Sequence, residues 1–134
     1  KATAFLAEDD IAYLDSSLAG QAEGALKPGS TFPDFPVEME GKQTSSLTLL
    51  RRQPGEIATL LLMDQANPAN WPSKIGQAPL HHSQLGLHFT DPHGTFRETL
   101  QLDPDAGILI RSDGVIAASG KPQAIRDWID NLGR

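Results

Sequence analysis

The apolar positions of this chain fall in short runs separated by Gly, Pro and Asp. Three runs have a clear pattern. Glu56 to Met63 carries Ile57, Leu60, Leu61, Leu62 and Met63 almost without interruption, as in a strand covered on both faces. Ile108–Arg111 and Val115–Ser119 flank the polar stretch Ser112-Asp113-Gly114. Asp and Gly tolerate the positive φ that tight turns need, so these two runs read as paired antiparallel strands. From Gln123 to Leu132, residues Ile125, Trp128, Ile129 and Leu132 recur at spacings of three and four, which is one face of an amphipathic helix. Lys121-Pro122 precedes that helix and Gly133 lies just beyond it, in keeping with helix-end chemistry.

The remaining signals are weaker. Residues 1–27 lack a strong period, and Ser16 to Gly24 is small and linker-like. Pro28-Gly29 opens a new segment, so 1–27 is read as an N-terminal extension and 28–134 as a single domain. Pro33 and Pro36 hold Thr31 to Val37 extended. Glu40-Gly41-Lys42 reads as a turn. Thr44-Ser45-Ser46 is a candidate cap for a short helix from Leu47 to Arg52, ended by Pro54-Gly55. Asp64 to Ser73, with Asn67-Pro68 and Trp71-Pro72, is a loop. Ile75, Leu80, Leu85 and Leu87 suggest a broken helix over Ser73 to Leu87, and Leu87 to Thr90 a strand. Asp91 to Gly94 is a turn by composition. Thr95 to Leu102 is a short helix or extended run, followed by a loop from Asp103 to Gly107.

With 134 residues the chain can bury one real core and is too short for two domains. Hydrophobic residues make up 39% and charged residues 21%, the balance of an ordinary globule. A formal net charge of −6 argues against a nucleic-acid partner and equally against an anionic membrane surface. No run approaches a membrane span in length, and no signal peptide is evident, so the cytoplasm is the expected compartment. The first residue is Lys1 rather than Met, as expected of a chain trimmed or cut from something larger. The absence of cysteine excludes disulfides, thiolate metal ligands and thiol nucleophiles.

Four histidines, His81, His82, His88 and His93, invite a metal reading. His81 and His82 are neighbours that point apart on a helix or strand, and no His-x3-His pair exists, so surface or loop histidines are preferred. Asp91, Asp103, Asp105 and Asp113 are candidate acid–base or calcium carboxylates. Each sits near Pro or Gly, where Asp is favoured for turn hydrogen bonds. Ser16, Ser17, Ser45 and Ser46 lack a Gly-x-Ser-x-Gly context. There is neither a Gly-x-Gly-x-x-Gly nor a Walker-type loop to cradle a nucleotide. No catalytic, cofactor-binding or metal-binding residue is therefore assigned. Trp128 is expected in the core from its helical spacing. Trp71, in a Pro-rich loop, is the expected exposed aromatic and a candidate partner contact.

Four pieces, in order, resemble the C-terminal domain of FAD-dependent aromatic hydroxylases, the phenol-hydroxylase-like flavin monooxygenases. They are Ile11 to Leu18, Lys27 to Asp34, Ser45 to Leu50 followed by the Glu56–Met63 strand, and the Ile108–Ala117 hairpin. Ser112 stands where that hairpin usually has proline, Ala118-Ser119 where Trp-Arg is common, and Thr31 where the opening motif has Arg. The resemblance implies an α/β, thioredoxin-like fold: a central mixed sheet flanked by helices, ending in a hairpin and a final helix. Asp64 to Trp71 then occupies the place of the Cys-x-x-Cys site, which this chain lacks. The resemblance further implies a non-catalytic structural and dimerisation domain. Its partners would be the flavin-binding domains of the same polypeptide and a second copy. FAD, NAD(P)H and O2 would serve the parent, which hydroxylates a phenolic substrate, and no cofactor would bind here. Two other readings stand at this point: a free-standing, redox-inactive thioredoxin-like module that binds a partner through Trp71, and a small metal-binding or hydrolytic protein using the histidines.

Overall fold

Continuous burial of one strand on both faces organises the molecule. The computed structural model describes residues 26–50 and 56–131. Strand β3 (Ala58–Leu62) is buried at all five positions. Ala58, Leu60 and Leu62 enter one apolar cluster and Leu61 enters the other, because alternate side chains leave a strand on opposite faces. This is why the expected strand lacks an alternating pattern. It pairs in parallel with β6 (His81–Gln84) and antiparallel with β7 (Gly107–Arg111), which pairs antiparallel with β8 (Ile116–Gly120). The sheet order is β6-β3-β7-β8, so the architecture is mixed α/β around a four-stranded mixed sheet.

Among the described residues, one α-helix lies on each side of the sheet. Helix α1 (Thr95–Leu100) buries Phe96 and Leu100 in the cluster that holds Leu61, Ile108 and Ile110. Phe96 meets Phe35 and Phe89 edge-on, with ring centroids 5.8 and 5.1 Å apart, a favourable aromatic geometry. Helix α2 (Pro122–Asn131) buries Ile125 and Trp128 against Leu60, Leu109 and Ala118. It starts at Pro122, one residue before the expected Gln123, because proline is well suited to a first helical position. Leu132 lies outside the described residues, as do residues 1–25, so the expected linker is described only at Leu26 and Lys27.

The turns follow from local chemistry. The β7–β8 hairpin forms as expected, with Gly114 at φ 87°. Asp113 does not take a positive φ; its carboxylate instead accepts the Val115 N–H at 3.1 Å. Before it, β1 (Pro36–Met39) and β2 (Lys42–Ser45) form a small antiparallel hairpin. Its two turn residues, Glu40 and Gly41, have φ of 53° and 79°, the signature of a tight two-residue hairpin loop. The expected helix from Leu47 is a 3-10 turn over Ser46–Leu50. Ser45 caps it by accepting the Leu47 N–H at 3.0 Å, while residues 51–55 lie outside the described set.

Two expectations are corrected. Residues 73–87 are not a broken helix. They form a two-stranded hairpin, β4 (Lys74–Ile75) with β5 (Ala78–Pro79), and then β6. Ile75 and Leu80 are buried but five positions apart, which no helical face supports. Strand β6 is polar in sequence, with Ser83 and Gln84 buried, so no apolar period announces it. Residues 87–90 are not a strand: Leu87 and His88 lie in a turn, and Phe89 and Thr90 make only isolated bridges.

The core placement of Trp128 makes a first prediction. Trp128→Ala should cost about 3–5 kcal/mol in chemical denaturation, and a loss below about 1 kcal/mol would place the ring outside the core.

Candidate functional site

The loop after β3, residues 63–73, lies where the resemblance expects a redox centre, and its backbone is tied down along its length. Met63 N–H donates to the Ala106 carbonyl and Gln65 N–H to the Pro104 carbonyl, both at 2.9 Å. The loop before β7 is thereby zipped onto the loop after β3. From β6, the buried Gln84 side-chain amide donates to the carbonyls of Met63 at 3.1 Å and Ala66 at 2.7 Å. Asn67 starts a single 3-10 turn, Pro68–Asn70, by accepting the Ala69 N–H through its side chain. From α2, Arg126 donates to the Asn70 carbonyl through Nε at 3.1 Å and Nη2 at 2.6 Å. His82 Nε2 lies 2.9 Å from the Pro72 carbonyl, to which its protonated form or Nε2–H tautomer donates.

Trp71 closes the loop over the sheet. The expected exposed aromatic is corrected here: Trp71 is 4% exposed and belongs to the same cluster as Leu60, Leu109 and Trp128. Burial removes the premise for a partner contact through this ring. Composition misled because Pro68 and Pro72 mark a loop, yet within it the Trp71 indole turns inward into the core cluster while most of its neighbours stay exposed. Gly107 makes room for it. A methyl group there would stand 2.9 Å from Leu62 Cδ2 and 2.9 and 3.0 Å from Trp71 ring carbons. Nothing in the sequence reading singled out Gly107 or Gln84.

The candidate carboxylates are dispersed into structural roles. Asp91 accepts the Phe96 and Arg97 N–H groups at 3.0 and 3.1 Å, satisfying the start of α1. Asp103 and Asp105 both approach Lys121 Nζ, at 3.3 and 2.7 Å. The Lys121 ammonium holds the Asp105 carboxyl below its ordinary value and is itself pushed up. Asp113 pairs with Arg111. A carboxylate not singled out, Asp64, forms a two-pronged contact with Arg97 at 2.9 and 3.3 Å. The Arg97 hydrogen bond holds the Asp64 carboxyl below its ordinary value, outweighing the desolvation that raises it, and the guanidinium charge adds to the lowering.

The serines and histidines are equally scattered. Ser46, fully buried, accepts from Phe35 N–H at 3.0 Å and donates to the Pro33 carbonyl at 2.7 Å, while Ser45 donates to Asp34. Ser16 and Ser17 lie outside the described residues. His88 Nδ1 accepts the Gln84 N–H at 2.9 Å, His81 stands 3.6 Å from Glu56, and His93 is exposed in a turn. Among the described residues, no group of three or more His, Asp or Glu converges as metal ligands would, and no helix is long and apolar enough to cross a membrane.

No family model and no curated protein matches the sequence. Solved structures do match. A ternary complex of aklavinone-11 hydroxylase with FAD and aklavinone superimposes with a TM-score of 0.64 at 18% identity, over 87% of this chain. The flavin-dependent monooxygenase PieE, in complex with FAD and substrate, gives 0.62 at 19% identity over 81% of this chain. The fold is that of one segment of FAD-dependent hydroxylases. This chain spans only 25% and 21% of those two proteins. A third match is the peroxidoxin BcpB from Mycobacterium tuberculosis, with a TM-score of 0.52 at 10% identity, over 81% of this chain and 97% of that one.

This geometry makes three predictions. Gly107→Ala should destabilise by about 1–3 kcal/mol through overpacking against Trp71. Because the Trp71 indole N–H is buried with no acceptor among the described residues, Trp71→Phe should cost much less than the roughly 3–5 kcal/mol of Trp71→Ala; equal losses would contradict this placement. For Asp64 the folded-state value is depressed, so its contribution is present above the ordinary carboxylate range and is lost as pH falls through the folded value. The pair is partly exposed, so Asp64→Asn should cost no more than about 1 kcal/mol at pH 7. That gap should close in urea titrations below about pH 4.

Proposed function

We propose that this chain is a non-catalytic, thioredoxin-like C-terminal domain of an FAD-dependent aromatic-ring monooxygenase. The parent would hydroxylate a phenolic substrate with FAD, NAD(P)H and O2. Within it, residues 28–134 form a packing module preceded by the connecting segment 1–27. The module rests on the flavin-binding domains of the same polypeptide and, in a homodimer, on a second subunit. The cytoplasm is the compartment proposed for it.

The observation that carries this reading is the asymmetry of the matches. Two flavin hydroxylases share the fold over 81–87% of this chain, yet this chain accounts for only 21–25% of theirs. The likeness to a peroxidoxin along nearly its whole length supports the thioredoxin-like part of the proposal. Strand order supports it too, with a parallel pair, an antiparallel hairpin and a closing helix. The thiol chemistry of that fold needs cysteine, and this chain has none.

The residues present do not fit a flavin. A dinucleotide is normally cradled by a glycine-rich turn at a helix start, and no Gly-x-Gly-x-x-Gly occurs. The backbone donors of Met63 and Gln65, and the Gln84 side-chain amide, are already engaged inside the protein. What these residues do is hold two loops and a helix in one rigid arrangement.

Two measurements test the proposal. The coding sequence upstream of Lys1 should encode a flavin-binding domain with its glycine-rich fingerprint. A start codon or export signal there would overturn the assignment to a larger oxygenase. Titrating the purified chain with FAD should leave flavin fluorescence unchanged, and micromolar binding would overturn the non-catalytic reading.

A further inference from the structure

We draw no further inference here: the strongest candidate, the surface patch around Leu87 at the tip of the turn after β6, 69% exposed, carries nothing because nothing in the structure shows what covers it.

Discussion

Trp71 packs its ring against the backbone of Gly107, and that contact closes the β3–β6 crossover onto the sheet. Parallel neighbours need a long connection between them, and a helix is the usual way to cover the sheet as the chain returns. Here the connection holds only a single 3-10 turn and the β4–β5 hairpin. Short elements bury little by themselves. The crossover therefore depends on a large ring reaching inward, with Ile75 and Leu80 beside it. The space for that ring exists because residue 107 has no side chain. Close packing makes such a fit sensitive to a single methyl group.

The hydrogen bonds around the loop follow from the same constraint. Most of this loop is exposed, but its inward-facing backbone groups must find partners within the protein. The carbonyls of Met63 and Ala66 do so through Gln84, and that of Asn70 through Arg126. These donors come from β6 and α2, elements on either side of the loop. The result is a loop whose polar groups are engaged in structural bonds. The ion pairs of Asp64 with Arg97 and of Lys121 with Asp103 and Asp105 join neighbouring loops to helix starts. They are partly exposed and contribute modestly.

Where burial follows a period, the fold was legible in the sequence. The continuous apolar run of β3, the hairpin around Ser112-Asp113-Gly114 and the Ile125/Trp128 face of α2 all stand as expected. Those three pieces supply the inner strands, one edge strand and one helix layer. The other edge was not legible. Strand β6 reads His-His-Ser-Gln, and its place is set by pairing with β3 rather than by its own apolar pattern. The candidate site was less legible still. Trp71 looked exposed because prolines flank it, whereas a tertiary cavity takes it in. Gln84 and Gly107 matter through contacts with residues at least 18 positions away, and no local signal encodes those. Of the four Asp expected in turns, Asp113 accepts the Val115 N–H of its own turn and Asp91 the N–H groups that start α1, whereas Asp103 and Asp105 pair with the more distant Lys121.

The loop after β3 is a structural joint, bonded to β6, to α2 and to the loop before β7. Native-state hydrogen exchange at the Met63, Gln65 and Trp71 amides tests it most directly. These amides should exchange only with global unfolding, at the same free energy as Leu60 and Leu109 in the central strands. Exchange through a local opening of markedly lower free energy, with the strands still protected, would contradict it.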